Sequence, residues 1–272
     1  MFKINNLTYQ YEKEKLALSN INMDFSKGDI VGVIGTNGSG KSTLFMNMMG
    51  ILKPSVGSIL FNNEPIKYNK RNLYELRKEV GIVFQDPEKQ IFYSMVYDDI
   101  AFALRNIGIE ENVIKKRIMN ALEAVNGLEF IDMPVHFLSY GQKKRVAIAS
   151  VIAMENKMIL LDEPTAGLDP VSTRAIVEII NNLKGKGVKI VISSHDMNLI
   201  YEICDYIYVL DQGEIINEGS TDVVFNDEEK ILKAGLELPW LVKLHINLDL
   251  PLFKTEEDLY DFWHNSKNIV NR

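Results

Sequence analysis

The stretch Ile30-Val31-Gly32-Val33-Ile34-Gly35-Thr36-Asn37-Gly38-Ser39-Gly40-Lys41-Ser42-Thr43 decides the fold. From Asp29 to Ile34 it is a short apolar run, which reads as a buried strand. Ser42 to Met49 reads as a helix, stopped by Gly50 and Pro54. Between them the pattern G-x-x-x-x-G-K-[ST] is matched at every fixed position, in the strand-to-helix context it requires. The chemistry explains the residue types. Gly35, Gly38 and Gly40 let the backbone curl until successive N–H groups, those of Asn37 and Ser39 among them, point inward at phosphate oxygens. The helix start adds its positive dipole end. Lys41 places an ammonium on the β- and γ-phosphates. The Ser42 hydroxyl ligates Mg²⁺, which leaves Thr43 for the α-phosphate region.

Working outward, Phe2 to Tyr9 and Ala17 to Phe25 are β-prone. Strand-like runs recur at Val80–Phe84, Met158–Leu161, Val188–Ser193 and Tyr206–Leu210, with helical stretches between. Such alternation predicts an α/β fold with a largely parallel sheet. From Asp98 to Met154 no strand is predicted. Ile114, Ile118, Ala121, Leu122 and Val125 share one helical face, so a helical insertion is expected there. The character changes again after Gly219. The last 53 residues hold both tryptophans, Trp240 and Trp263, and ten acidic against six basic residues. They form a candidate C-terminal subdomain, 220–272.

Met158-Ile159-Leu160-Leu161-Asp162-Glu163 is an apolar strand ending in two carboxylates, at the edge of the sheet where ligands bind. Asp162 would hold Mg²⁺. Glu163 points differently, because strand side chains alternate, and is placed to polarise a water for in-line attack on the γ-phosphate. His195 follows Val188–Ser193 on the same edge, within reach of the γ-phosphate and Glu163. His136, His245 and His264 have no such context and read as structural.

The chain has 272 residues, 46 % apolar and 25 % charged, with a formal charge of −7. That is a globular composition, long enough to bury a large core. The longest apolar stretch, Val146 to Met154, falls far short of the roughly 20 residues that cross a bilayer. The start, Met1 to Asn6, lacks an apolar signal core, so an intracellular protein is expected. Cys204 stands alone, which excludes an intramolecular disulfide and a multi-cysteine zinc site. The acidic balance argues against nucleic acid as the partner.

Leu138-Ser139-Tyr140-Gly141-Gln142 reads as a capping serine and a glycine opening a helix, a second anion site. Together with the cradle, the acid-ended strand and His195, it resembles the signature motif of the ATP-binding cassette (ABC) ATPases. Nearly all of residues 1–219 follows that family's order of motifs. The resemblance implies a P-loop NTPase core of the RecA-like type, with an antiparallel β subdomain and a helical subdomain inserted at about 86–154. It implies ATP and Mg²⁺ as ligands. Gln85 matches the family's Q-loop glutamine, with a place in catalysis and at the metal. Asp169, in Ala166-Gly167-Leu168-Asp169, matches the D-loop carboxylate. Tyr11 matches the aromatic that stacks on adenine, with Tyr9 its rival; such stacking gives affinity more than selectivity. In the family two cassettes pair head to tail, so Ser139, Gly141 and Gln142 are implied to act on the partner's ATP. The pairing, homomeric or heteromeric, would close with ATP and open after hydrolysis.

Gln85-Asp86-Pro87-Glu88-Lys89-Gln90-Ile91-Phe92 and Asp98-Asp99-Ile100-Ala101-Phe102 look like energy-coupling factor (ECF) transporter ATPases. A second glutamine five residues after Gln85 is typical of them. Leu138 to Met154 resembles the cobalt-transporter ATPases, and Gly235-Leu236-Glu237-Leu238-Pro239 resembles the extension through which such ATPases dimerise. These likenesses imply a motor subunit on the cytoplasmic face of the cell membrane, joined to a transmembrane subunit and a substrate-binding membrane subunit. Cobalt ion would be the cargo, with a vitamin or nickel the alternative. Two sequence departures stand out: Tyr140 replaces the usual signature glycine, and Thr36 replaces the usual cradle proline. Tyr140 is expected to crowd the incoming phosphate and to tell on rate rather than on binding. A soluble ABC protein of repair or translation would bring a second cassette or a coiled-coil insert. A P-loop kinase would leave the signature and Gln90 unexplained.

Overall fold

The computed structural model describes residues 1–12 and 16–270, the side chains of 266–270 excepted. Two sheets enclose the first core. One is antiparallel, in the order β2 (Leu16–Asp24), β1 (Phe2–Gln10), β4 (Val56–Phe61), β5 (Glu64–Pro65). The other runs β10 (Glu214–Ser220), β9 (Tyr206–Asp211), β3 (Ile30–Ile34), β8 (Lys189–Ser194), β7 (Met158–Asp162), β6 (Val80–Val83). Every pairing in the second sheet is parallel except β9 with β10.

The expected strands appear within a residue or two. All five residues of β3 are buried, as are all five of β7. Their side chains divide between two faces. Val31 and Val33 pack with Ile4, Leu7 and Phe25 of the antiparallel layer and with Leu44, Phe45 and Met48 of α1 (Lys41–Met48). Ile30 and Ile34 face a larger cluster shared with the helices. A strand covered on both sides is apolar without alternation, which is why the run read as buried.

The larger cluster takes in α3 (Val96–Asn106), α4 (Glu111–Ala124) and α5 (Tyr140–Ala153), and no strand falls between α3 and α5 among the described residues. The face read on α4 is the buried one: Ile114, Ile118, Ala121, Leu122 and Val125 have no exposed surface. Each of these side chains except that of Ala121 contributes about 1.5–3 kcal/mol by leaving water. The helices α2 (Lys70–Glu79), α6 (Pro170–Gly185) and α7 (Met197–Ile203) complete the body.

After β10 come α8 (Thr221–Phe225), α9 (Glu228–Lys233), α10 (Trp240–Leu248) and α11 (Glu256–Val270). This tail joins the existing core: Phe225, Ile231, Leu236, Leu241 and Phe253 belong to the same cluster as Ile30 and Ile192. Of the described residues, no helix is long and apolar enough to cross a membrane.

Candidate functional site

The parallel strands β3, β7 and β8 deliver their carboxyl ends to one edge, and the loops leaving them carry the polar residues. After β3 the chain turns through Gly38 at φ +82° and Gly40 at φ +113°. Gly40 caps α1 with no side-chain hydrogen bond, so the first-turn amides of α1 have no side-chain acceptor at the cap. The Ser39 hydroxyl is buried with no hydrogen-bond partner. An unpaired buried donor beside open helix amides fits an anionic ligand. Asn37 and Ser42 are exposed at the mouth. Thr43 is buried under Tyr11, whose hydroxyl lies 3.2 Å from Thr43 Oγ1. Tyr11 is half-buried past the end of β1, edge-on to Tyr9 with ring centres 5.0 Å apart.

Lys41, Glu163 and His195 meet here. The Lys41 ammonium donates to Gly35 O (2.7 Å) and Thr36 O (3.1 Å) and pairs with Glu163 Oε1 at 3.3 Å. Glu163 Oε2 lies 2.6 Å from His195 Nδ1. Lys41 and Glu163 are each about 5 % exposed, whereas the His195 side chain is 57 % exposed and faces the cleft. Asp162 is buried and accepts the Ser193 hydroxyl at 2.6 Å.

The signature segment folds as a capped helix. Ser139 Oγ accepts from Gln142 N, and Gln142 Oε1 accepts from Ser139 N, a reciprocal capping box at the start of α5. Gly141 sits against Ser172 and Leu168 of its own chain. Tyr140 turns back onto its own chain as well: its hydroxyl donates to Gln85 O at 3.2 Å and its ring lies beside Gly167. Gln85 itself is exposed just past β6. Asp169 caps α6, accepting from Val171 N, Ser172 N and the Ser172 hydroxyl, and the Ser172 hydroxyl holds its carboxyl below the usual range. Gln90 ties the loop after β6 to α5: it accepts from Phe84 N and donates to Ala147 O and Ser150 Oγ.

A cleft of about 780 Å³ opens beside the cradle. Thr36, Asn37 and His195 line one side, and Leu236, Leu238 and Trp240 of the tail line the other. Ser139, Gly141 and Gln142 are not among its walls.

Two buried polar residues escaped the sequence reading. Ser193 Oγ accepts from Glu163 N while donating to Asp162. Lys144 has no exposed surface, and its ammonium donates to Glu163 O at 3.0 Å. Burial pulls Lys144 down to about 8, against the opposing charges of Asp162, Glu163 and Asp86. Within Lys143-Lys144-Arg145 it looks like part of a solvated basic run. Its helical neighbours Ala147, Ile148 and Val151 are all buried, and that spacing was the available signal.

The model of the ABC transporter family matches residues 18–166. That is more than half of the chain. The chain belongs to the ABC transporter family. It is 48 % identical over 260 residues to the cobalt import ATP-binding protein CbiO of Salmonella typhimurium, covering 96 % of each chain. It is 45 % identical over 241 residues to the energy-coupling factor transporter ATP-binding protein EcfA3 of Clostridium perfringens, covering 88 % of this chain and 84 % of that one. The solved structure of cbiO1 from Clostridium perfringens, described as part of the ABC transporter complex cbiONQ, superposes with a TM-score of 0.76 at 43 % identity. The match covers 89 % of this chain and 97 % of that one. This ABC chain is thus an ATPase and an ATP-binding subunit of the ECF and CbiO type, with the cassette's mixed α/β fold.

Proposed function

We propose that this chain is the ATP-hydrolysing motor of an ECF-type importer whose cargo is cobalt ion. The observation that supports the chemistry most is the contact of Lys41, Glu163 and His195 beneath the open amides of α1. Lys41 exchanges its loop carbonyls for the β- and γ-phosphate oxygens of ATP. Glu163, freed from Lys41, takes a proton from the attacking water, and His195 keeps the carboxylate aimed. Ser39, Gly38 and Gly40 shape the anion cradle, and Tyr11 stacks on the base. Among the described residues, no cluster of three or more His, Cys, Asp or Glu could hold a metal. The hard oxygen donors of Ser42, Asp162 and Gln85 suit Mg²⁺, which keeps waters and shares its shell with phosphate. Bound Mg²⁺ would neutralise charge developing on the transferred phosphoryl group.

Ser139, Gly141 and Gln142, none of which lines the cleft beside this chain's own cradle, serve the ATP of a second cassette, with Asp169 at the contact. The tail, 220–272, contributes to that pairing. The dimer works peripherally on the cytoplasmic face of the membrane, bound to transmembrane and substrate-binding subunits. Cobalt rests on the relatives' names, since the motor does not touch the cargo. The test is ATP-dependent uptake of labelled cobalt into vesicles that hold the chain with its co-expressed membrane subunits. Uptake is expected with wild type and none with Glu163→Gln, which still binds ATP and loses about 10²–10⁴-fold in turnover. Uptake of nickel or a vitamin instead would overturn the cargo. Near-normal hydrolysis by Glu163→Gln would overturn the base.

A further inference from the structure

Glu163 has φ +45°, a left-handed conformation that a glutamate adopts only when its surroundings hold it there. The holds are visible. Its N–H donates to Ser193 O (3.1 Å) and lies 3.0 Å from Ser193 Oγ. Its carbonyl accepts from Ala166 N at 3.2 Å and from the Lys144 ammonium at 3.0 Å. The first three come from the edge of the sheet and the following turn. The fourth crosses from α5, the helix that Ser139 opens.

Burying an ammonium completely is costly, and a methionine or leucine would fill the same space without that cost. Among the described residues, Lys144 makes no direct ion pair with a carboxylate that would repay it; its hydrogen bond goes to a backbone carbonyl. We propose that Lys144 is a positioning residue, which locks the Glu163 peptide so that the carboxylate stays aimed into the site beside His195. The inference rests on Glu163 being the base. Release of that carbonyl lets the turn relax toward an ordinary backbone conformation, and the carboxylate swings out of line. A misplacement of about 1 Å costs on the order of 100-fold in rate while leaving ground-state binding largely alone.

The experiment uses the full chain with its co-expressed membrane subunits and compares Lys144→Met, Glu163→Gln and the double variant. ATP turnover and the affinity for a fluorescent ATP analogue are measured for each. Lys144→Met is expected to lower kcat about 10- to 100-fold with affinity changed less than about threefold. In the Glu163→Gln background it should lower the residual rate no further, because the lysine acts only through that side chain. A role in packing alone would lower the melting temperature, and any rate loss would multiply with that of Glu163→Gln; that outcome overturns the proposal. So does a kcat within about twofold of wild type. If the methionine variant does not fold, Lys144→Gln takes its place in the same cycle, and the same outcomes decide. An active Glu163→Gln enzyme would refute the base assignment. An inactive Glu163→Gln beside a fully active Lys144→Met would refute the lysine's role alone.

Discussion

Gly40→Ala measures how tightly the cradle is wedged against the antiparallel sheet. A Cβ at Gly40 would stand 2.7 Å from Ala17 O and 2.9 Å from Leu18 Cδ2. The first is strand backbone and the second belongs to a side chain with no exposed surface, so neither gives way freely. Gly38 supplies the control. It also has positive φ, +82° against +113° at Gly40, but nothing lies within 4 Å of its Cβ position. Backbone strain costs each alanine about 1–3 kcal/mol. Overpacking adds about 1–3 kcal/mol at Gly40 alone. Gly38→Ala is therefore expected to lose about 1–3 kcal/mol and Gly40→Ala about 2–6 kcal/mol. At about 2–4 °C per kcal/mol, Gly40→Ala should melt about 2–12 °C below Gly38→Ala. Calorimetric melts of the nucleotide-free chains in one buffer provide the measurement. Equal melting temperatures, or a lower one for Gly38→Ala, would refute the wedge.

Two further perturbations probe the body. Asp205 accepts from Asp29 N and Ile30 N and pairs with Lys184. Burial pushes its carboxyl up, but the Ile30 N–H and Lys184 outweigh that and hold it below 3.8. Its contribution is complete above pH 3.8 and fades as pH falls through the lower folded value. Asp205→Asn should therefore melt below wild type at pH 6, with the gap closing as the titration passes below about pH 4; a constant gap would contradict it. Cys204 is buried against Gly32, and burial pushes its thiol well up. A thiol reagent at pH 8 should leave the native chain unlabelled and modify Cys204 once the chain is unfolded; rapid native labelling would contradict this.

The places of the cradle, of the acid pair at the end of β7 and of His195 were legible because each is a local pattern. A glycine-rich turn between strand and helix has few alternatives, and a strand's carboxyl end fixes where its acids point. The antiparallel layer was only half legible. β4 and β5 lie toward the open side of the sheet, where exposed and half-exposed residues dilute the alternation. The direction of Tyr140 could not be read from its place in the motif, because its partner, Gln85 O, is 55 residues away. Lys144 was hidden by its own neighbours, one polar run wrapping a helix whose inner face is apolar. The tail's composition separated it from the cassette, yet its leucines and phenylalanines complete the cassette's core.

Under the proposed assignment, the contact between Lys41 and Glu163 would give the ATPase a built-in rival to its own ligand. The carboxylate pairs with the same ammonium that the proposal assigns to the γ-phosphate. Incoming ATP would then have to outcompete a group tethered to the same chain. The rivalry would weaken binding, but it would also work on the way out. Once the γ-phosphate is cut and departs, Glu163 would reclaim Lys41, so the reset of the motor would be drawn forward by the same ion pair that resisted its loading.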